Sequence, residues 1–472
     1  MQTREVPFRG RMVMIGFGSI GQGVLPLFLR HIDMRADQIV IITAEERGRE
    51  EAEQHGVRFI HHALTRENYL AMLEPMLGKG DVLVNLSVEV SSIALIEFCH
   101  RVGALYIDTC IEPWPGGYTD PNLSPSQRSN YALRETALDA RRRLGADGPT
   151  AVITHGANPG LVSHFIKQAL LDIASDTGAG TAIPTNRAGW AALAHKLGVK
   201  VIHVAERDTQ IAGNDPKRRG EFVNTWSIDG FVSEGCQPAE LGWGAHEKSL
   251  PPDGNHHEFG SGAAIWLSRP GASTRVRSWT PLEGPYHGFL ITHGEAISTS
   301  DYFSVHEGDK VVYRPTCHYA YHPCDDAVLS VHEFAGKSWE LQPVKRLIVE
   351  EVTEGIDELG VLLMGHAKGA YWYGSRLSIE EARALAPYNN ATSLQVTAPV
   401  LAGVIWALEN PNRGVTEPED MDFARILEIC RPYLGPVVGA YSDWTPLEGR
   451  ETLFAEDLDR DEPWQFKNFR VV

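Results

Sequence analysis

Three observations predict an α/β protein built in two parts. Short apolar runs alternate with helical periodicity from Met12 to about residue 157, and a G-x-G-x-x-G stretch sits at the first strand-to-helix turn. From about Val201 to Val352 that alternation gives way to short β-type runs rich in Trp, Tyr, His and Gly. Apolar strands separated by helices indicate a parallel sheet buried on both faces, and successive short strands indicate an antiparallel one. The predicted organisation is an N-terminal Rossmann domain over 1–157, completed by part of 391–435, and an α+β domain with a mostly antiparallel sheet over 158–390. Residues 436–472 form a C-terminal extension.

The first strand is Met12–Ile15, and Ile20–Arg30 then repeats at helical spacing, so Gly16, Gly18 and Gly21 fall where strand becomes helix. Gly16 permits a tight turn, Gly18 leaves no Cβ in front of a pyrophosphate, and Gly21 lets helix and strand approach. The helix N-terminus, with Ser19 and Ile20, offers N–H groups to the anion. A second strand, Ile39–Thr43, ends just before Glu45, which lies 24 positions after Gly21. About 20 is the spacing expected for an acid on the adenosine ribose. An acid there favours NAD over NADP, because a carboxylate repels a 2′-phosphate. The same Glu45 also suits the start of the next helix, through the helix dipole. Thr43 and Glu45 are thus cofactor-binding candidates.

Glu46–Gln54 reads as a charged helix, Val57–Ile60 as a strand, Glu67–Leu77 as a helix, Asp81–Ser87 as a buried strand, Ile93–Val102 as a helix and Ala104–Thr109 as a strand. Ligands in open α/β sheets lie beyond the carboxyl ends of strands. Ser87 and Glu89 stand at one such end, Thr109 and Glu112 at the next. Pro113–Ser129, rich in Pro, Gly, Asn and Ser but carrying Trp114 and Tyr118, reads as a folded lid. Asn130–Leu144 is a helix with a solvated arginine face, Thr150–Thr154 a sixth strand, and His155–Val162 a tight turn into a helix over Val162–Leu171. In the second domain Val201–Ala205, Phe222–Ile228 and Phe289–His293 have β character, and the apolar helix Ala391–Leu408 is free to pack back on the first domain.

The 472 residues, 43% of them hydrophobic, supply ample core for two domains. A formal net charge of −18 argues against a nucleic-acid partner and suits a cationic ligand. The six cysteines follow no disulfide framework, so reduced thiols are expected. Cys317-His318-x-x-x-His322-x-Cys324 lacks zinc-ligand spacing and reads as structural or pocket-lining; no metal is expected. The apolar run after the basic start stops at Gly16, too soon for a signal peptide. Ser393–Leu408 is interrupted by Gln395 and Thr397 and falls short of the ~20 residues that span a bilayer. These features lead to the expectation of a cytoplasmic protein with no membrane partner.

Among the strand-like runs of the second domain stand Glu206, Glu234 and Asp357, with Trp226 eight positions before Glu234. Carboxylates beside an aromatic face hold an ammonium group by charge-assisted hydrogen bonds and cation–π attraction. Taken singly, each is also an ordinary surface acid or core tryptophan.

The glycine loop Gly16–Gly21, the turn His155–Gly160, the segment Asn224–Glu234 and Thr292–Glu295 resemble those of the bacterial homospermidine synthases, which stand among the saccharopine-dehydrogenase-like oxidoreductases. The resemblance runs from about residue 8 to 450. It implies that two putrescine molecules give sym-homospermidine and ammonia, with tightly bound NAD reduced and reoxidised inside one turnover, in a homodimer. It also implies that Glu206 is the acid/base at the reacting amine, Trp226 a platform for cationic intermediates, Glu234 an anchor for a remote ammonium, and Asn158 and His293 polar pocket members. Glu89, Glu112 and Asp357 are implied as further substrate contacts. An alkylammonium has no lone pair, so the site must deprotonate one amine while keeping the other charged. Unequal carboxylates meet that need: Glu206 buried with a raised pKa, Glu234 distal and solvated. The rival readings are a saccharopine- or carboxynorspermidine-type dehydrogenase, whose α-carboxylate substrates want arginine forks, and a non-catalytic NAD(H) sensor. Arg207 is the only arginine adjacent to the acids, and a sensor needs no ammonium pocket.

Overall fold

In the structure, a computed structural model that describes residues 6–471, seven parallel strands form one sheet in the order Val415–Thr416, Ala151–Val152, Leu105–Asp108, Val82–Asn85, Met12–Ile15, Ile39–Thr43 and Arg58–His61. Strand periodicity divides its core in two. Met12 and Met14 face the helices Ser19–His31 and Ala391–Glu409, whereas Val13 and Ile15 face Ser92–Val102 and Asn130–Leu144. The strand order reverses between Met12–Ile15 and Val82–Asn85, which opens a crevice at their carboxyl ends.

The second sheet has eleven strands, antiparallel except where Val201–Asp208 runs parallel to Thr316–His322. Val201–Asp208 lies between Thr316–His322 and Ile356–His366 and is buried along its whole length. Ala391–Glu409 packs against Ser19–His31 of the first unit and against strands of both sheets. That helix is long and apolar enough to cross a membrane, yet 89% of its apolar window is buried inside the protein.

Several elements differ from expectation. The charged helix starts only at Arg49, after Gly48 adopts φ +90°, and the helix around Glu67–Leu77 shortens to Tyr69–Leu73 ahead of Pro75. The run Phe222–Ile228 is not one strand: Glu221–Asn224 is extended, and Ser227 then caps the helix Ile228–Cys236 by accepting the N–H of Gly230. Glu234 therefore rides on a helix. Similarly, the strand ending at Phe289 stops short of His293, which precedes the helix Gly294–Tyr302. Residues 436–472 are no appendage. Val437–Ser442 extends the second sheet beside Gly369–Ser378, and Arg470–Val471 pairs with Arg275–Thr280. The arginine face of Asn130–Leu144 is solvated at Arg142 and Arg143, but Arg134 is buried in ion pairs with Asp301 and Glu417.

Candidate active site

The glycine loop has the shape its spacing foretold. Gly16 turns with φ +82°, and a Cβ there would come within 2.7 Å of the Leu86 carbonyl oxygen; a Cβ at Gly21 would come within 2.9 Å of the Phe17 ring. At Gly18 a Cβ meets nothing within 4 Å, and no side chain caps the following helix. Open space in front of helix N–H groups is what a pyrophosphate needs, so the loop fits a dinucleotide. Thr43 ends its strand, and its Oγ1 accepts the N–H of Glu45 at 3.4 Å. Glu45 is exposed and outside the helix, whose first turn holds Glu50 and Glu51 instead. It stands two residues past the end of the strand Ile39–Thr43.

A cleft of about 940 Å³ opens between the carboxyl ends of the parallel strands and the second sheet. It gathers Ile20, Ser87, Thr109, Glu112, Asn158, Glu206, Trp226, Glu234 and His293 from seven separate stretches of chain, and adds Cys110, Tyr319, Thr392 and Gln395. Glu89 and Asp357 do not line it. Glu89 is exposed with φ +61°, and its backbone N–H donates to Glu112 Oε2 at 3.1 Å. The stretch 113–129 contributes no wall residue among those described; Ser126 Oγ instead reaches His257 Nδ1 at 2.7 Å.

At the inner end Glu206 is buried, and its Oε2 accepts the Tyr319 hydroxyl at 2.5 Å and the Asn158 amide N–H at 3.3 Å. Burial, joined by the nearby Asp208 charge, pushes its pKa up to about 8, although the Tyr319 hydrogen bond and His293 act the other way. Asp208 sits two residues on, and Asp357 lies opposite Asp208 on the neighbouring strand. Burial raises both carboxyls, Asp357 well above the usual range. Thr392 links them. Its hydroxyl donates to Asp357 Oδ2 at 2.6 Å, accepts from Gln210 Nε2 at 2.9 Å and lies 3.3 Å from Asp208 Oδ2. A hydroxyl has one proton, so the shorter contact takes it. The N-terminus of Ala391–Glu409, with its partial positive charge, begins at this trio.

Against the Tyr319 ring, with centroids 4.6 Å apart, His293 belongs to a paired system. His293 Nε2 lies 2.9 Å from Glu234 Oε2, and Nδ1 lies 3.3 Å from Glu295 Oε1. Burial opposes its charge, but the two carboxylates outweigh burial and hold the imidazole pKa well above its ordinary value. Glu234 is therefore not the free, solvated anchor expected; it is half-buried and already paired with His293. Burial pushes Glu112 up to about 7, against the Glu89 N–H and the Cys110 thiol that favour its charge. The half-buried Trp226 ring is fixed by its Nε1–H donating to the Tyr321 hydroxyl at 2.8 Å, and Tyr321 stacks on Tyr319 with centroids 5.0 Å apart.

Asp208, Tyr319, Tyr321 and Thr392 escaped sequence reasoning. Glu206/Asp208 and Tyr319/Tyr321 are i, i+2 pairs, so a strand's period of two was the available signal. The Cys317–Cys324 motif falls largely on the same strand as the tyrosines, and among the described residues no cluster of His, Cys, Asp or Glu could hold a metal. Arg207 points away from the cleft, to Glu283 at 3.4 Å and Asp325 at 3.2 Å.

Residues 12–152 match the family model described as the saccharopine dehydrogenase NADP binding domain, and residues 156–441 match the saccharopine dehydrogenase C-terminal domain. The chain is 56% identical over 466 residues to a homospermidine synthase from Blastochloris viridis, covering 98% of this chain and 97% of that one. It is 52% identical over 469 residues to a homospermidine synthase from Mesorhizobium japonicum, covering 98% and 96%. The crystal structure of the homospermidine synthase from Legionella pneumophila in complex with NAD superposes with a TM-score of 0.93, at 49% identity and over 100% of both chains.

Proposed function

Because the chain belongs to the homospermidine synthases, within the saccharopine dehydrogenase family, we propose that its cleft converts two putrescine molecules to sym-homospermidine and ammonia. The observation that carries this reading is that one cleft gathers a buried carboxyl that holds its proton, an aromatic face and further carboxylates. Gly16, Gly18, Ser19, Ile20 and Gly21 would hold the NAD pyrophosphate, with Thr43 and Glu45 at the ribose and Ser87 and Thr109 towards the nicotinamide. When bound, NAD supplies a hydride acceptor for the first diamine and a hydride donor for the condensed imine.

The protein's own groups handle protons, charge and position. As a carboxylate, Glu206 takes a proton from the reacting ammonium, freeing a lone pair; Tyr319 and Asn158 aim it. Burial, with a smaller contribution from the nearby Asp208, keeps Glu206 basic. The Trp226 face turns its negative quadrupole towards cationic intermediates without offering a second base. Glu112 and the Glu234–His293 pair bound the end that receives the remote ammonium. With Arg207 turned away, the cleft offers no fork for an α-carboxylate at its inner end, which favours a plain diamine over the saccharopine-type substrates. The six free cysteines support a cytoplasmic location, and the proposed assembly is a homodimer.

Purified protein given putrescine and substoichiometric NAD is expected to form many equivalents of homospermidine per NAD, read by mass spectrometry. Product limited to one equivalent or less overturns the reading. The pH profile should report Glu206. Its proton is held in the free enzyme up to about pH 8, so kcat/KM for putrescine rises with pH to that region, whereas an unperturbed carboxylate would plateau near pH 5 to 6, ~1 unit above its usual pKa. A profile already flat from pH 6 excludes Glu206 as the base.

A further inference from the structure

Trp226 stands between a strand and a helix, so neither kind of ladder holds its backbone. The ribbon of Glu221–Asn224 with Val344–Leu347 belongs to neither large sheet and ends just before Thr225. Thr225 is buried, and its carbonyl, beyond the ribbon's own pairing, needs a donor from elsewhere. Asn390 supplies it. Its Nδ2 donates to the Thr225 carbonyl at 2.7 Å and to the Ile348 carbonyl at 3.0 Å, so one buried amide closes both strand ends of the ribbon. Its Oδ1 accepts the Ser393 N–H at 2.8 Å and caps the helix Ala391–Glu409. Only this orientation of the amide satisfies all three contacts. Asn389, the residue before, reaches the other way: its Nδ2 donates to the Gly23 carbonyl at 3.2 Å, inside the helix Ser19–His31 that follows the glycine loop. A Cβ at Gly23 would lie 2.9 Å from Asn389 Cγ, which gives a packing reason for a glycine inside a helix that would otherwise favour alanine. Tyr388 completes the strap with φ +61°, a left-handed conformation strained for tyrosine, and its hydroxyl donates to Gln54 Oε1 at 3.3 Å. Such strain persists where neighbours on several sides fix the chain.

Resting on the function proposed above, we propose that Asn390 is a positioning residue that sets the Trp226 ring over the cleft, with Asn389 tying that setting to the dinucleotide-binding helix. Trp226 lines the cleft, and neither asparagine is among the wall residues. Asn390 therefore acts through Thr225. The reaction needs one carbon to give up a hydride and, as an imine, to take it back, so twice in a turnover that carbon must sit about 3–3.5 Å from the nicotinamide. A cation platform held from the cofactor's own helix meets that need better than one held by the second sheet alone. Tyr321, on the second sheet, fixes the ring through its Nε1–H. Asn390 fixes the backbone from the other side, and the two anchors together set where a cation rests.

Asn390→Ser provides the test, because serine caps a helix as well as asparagine does but brings no amide to the Thr225 carbonyl. In the otherwise unaltered enzyme, kcat/KM for putrescine is expected to fall about tenfold or more, the order of a small misplacement at a reacting centre. NAD affinity, read by calorimetry, should stay within about twofold. In a Trp226→Ala background the same change should cost less than about twofold in kcat/KM, since the residue it acts through is gone. No loss, equal losses in the two backgrounds, or NAD affinity falling in step with kcat/KM would mean that Asn390 is a helix cap only and would overturn the proposal. Should Asn390→Ser not fold, Gly23→Ala displaces Asn389 from the other end of the strap, in a helix that by itself prefers alanine. At saturating NAD its loss in kcat/KM should likewise depend on Trp226. No loss, or a loss of equal size without the tryptophan, overturns the proposal, as does a Trp226→Ala enzyme of normal rate. Absence of homospermidine from the unaltered enzyme would instead remove the functional reading itself.

Discussion

Glu206→Gln is expected to lower turnover by about 10²- to 10⁴-fold, the usual contribution of a positioned general base, while NAD and putrescine still bind. The glutamine carbonyl still accepts the Tyr319 hydroxyl that Glu206 accepts at 2.5 Å, so geometry is kept and only proton acceptance is lost. Stability should move the other way. The carboxyl pKa is raised by folding, from 4.5 to about 8, so the folded state binds its proton more tightly than the unfolded chain does. Ionised Glu206 is therefore a cost that is absent below pH 4.5, grows as pH rises towards 8 and is constant above. The variant should thus match the wild-type Tm near pH 4 and exceed it at pH 8. Single-turnover kinetics beside calorimetry at the two pH values check both halves. Near-normal turnover in the variant would place the base elsewhere.

Trp226→Ala should cost about 30-fold or more in kcat/KM for putrescine, because a cation–π contact in a desolvated site is worth ~2 kcal/mol. Trp226→Phe keeps an aromatic face but loses the Nε1–H bond to Tyr321, and a loss of about threefold to tenfold is expected. The ordering matters more than either value. If Phe were as damaging as Ala, the hydrogen bond that locks the ring would be the essential property; if neither changed the rate, Trp226 would be a wall and nothing more. Steady-state kinetics with a melting curve for each variant separates these outcomes.

The first sheet was legible because each strand is a short apolar run read locally, and because the glycine spacing has a steric reason at Gly16 and Gly21. The second sheet was legible in kind but not in pairing, since its neighbours are set by contacts across long stretches of chain, such as Tyr321 beside Glu206. Glu234 was misplaced onto a strand because the Gly-Phe-Val-Ser-Glu-Gly stretch has β composition; only the Ser227 cap announces the helix. Arg134 looked solvated because its partners, Asp301 and Glu417, lie 167 and 283 positions away. Likewise the residue types at Glu206, Trp226 and His293 suggested a cation site, but the pairing of Glu234 with His293 is a tertiary fact.

The helix Ala391–Glu409 and the strand Val415–Thr416 have a consequence for how the molecule comes apart. The chain leaves the first sheet after Ala151–Val152, returns to it at Val415–Thr416, and departs again to lay Val437–Ser442 on the second sheet. The two sheets are thus sewn together by three crossings, and each borrows an element from sequence that lies beyond the other. Neither half is a detachable bead. A fragment ending near residue 157 would leave Ala151–Val152 as a bare edge and the buried face of Ser19–His31 open to water. The cleft floor and the cofactor cradle accordingly share one cooperative unit, and the protein should melt once rather than twice.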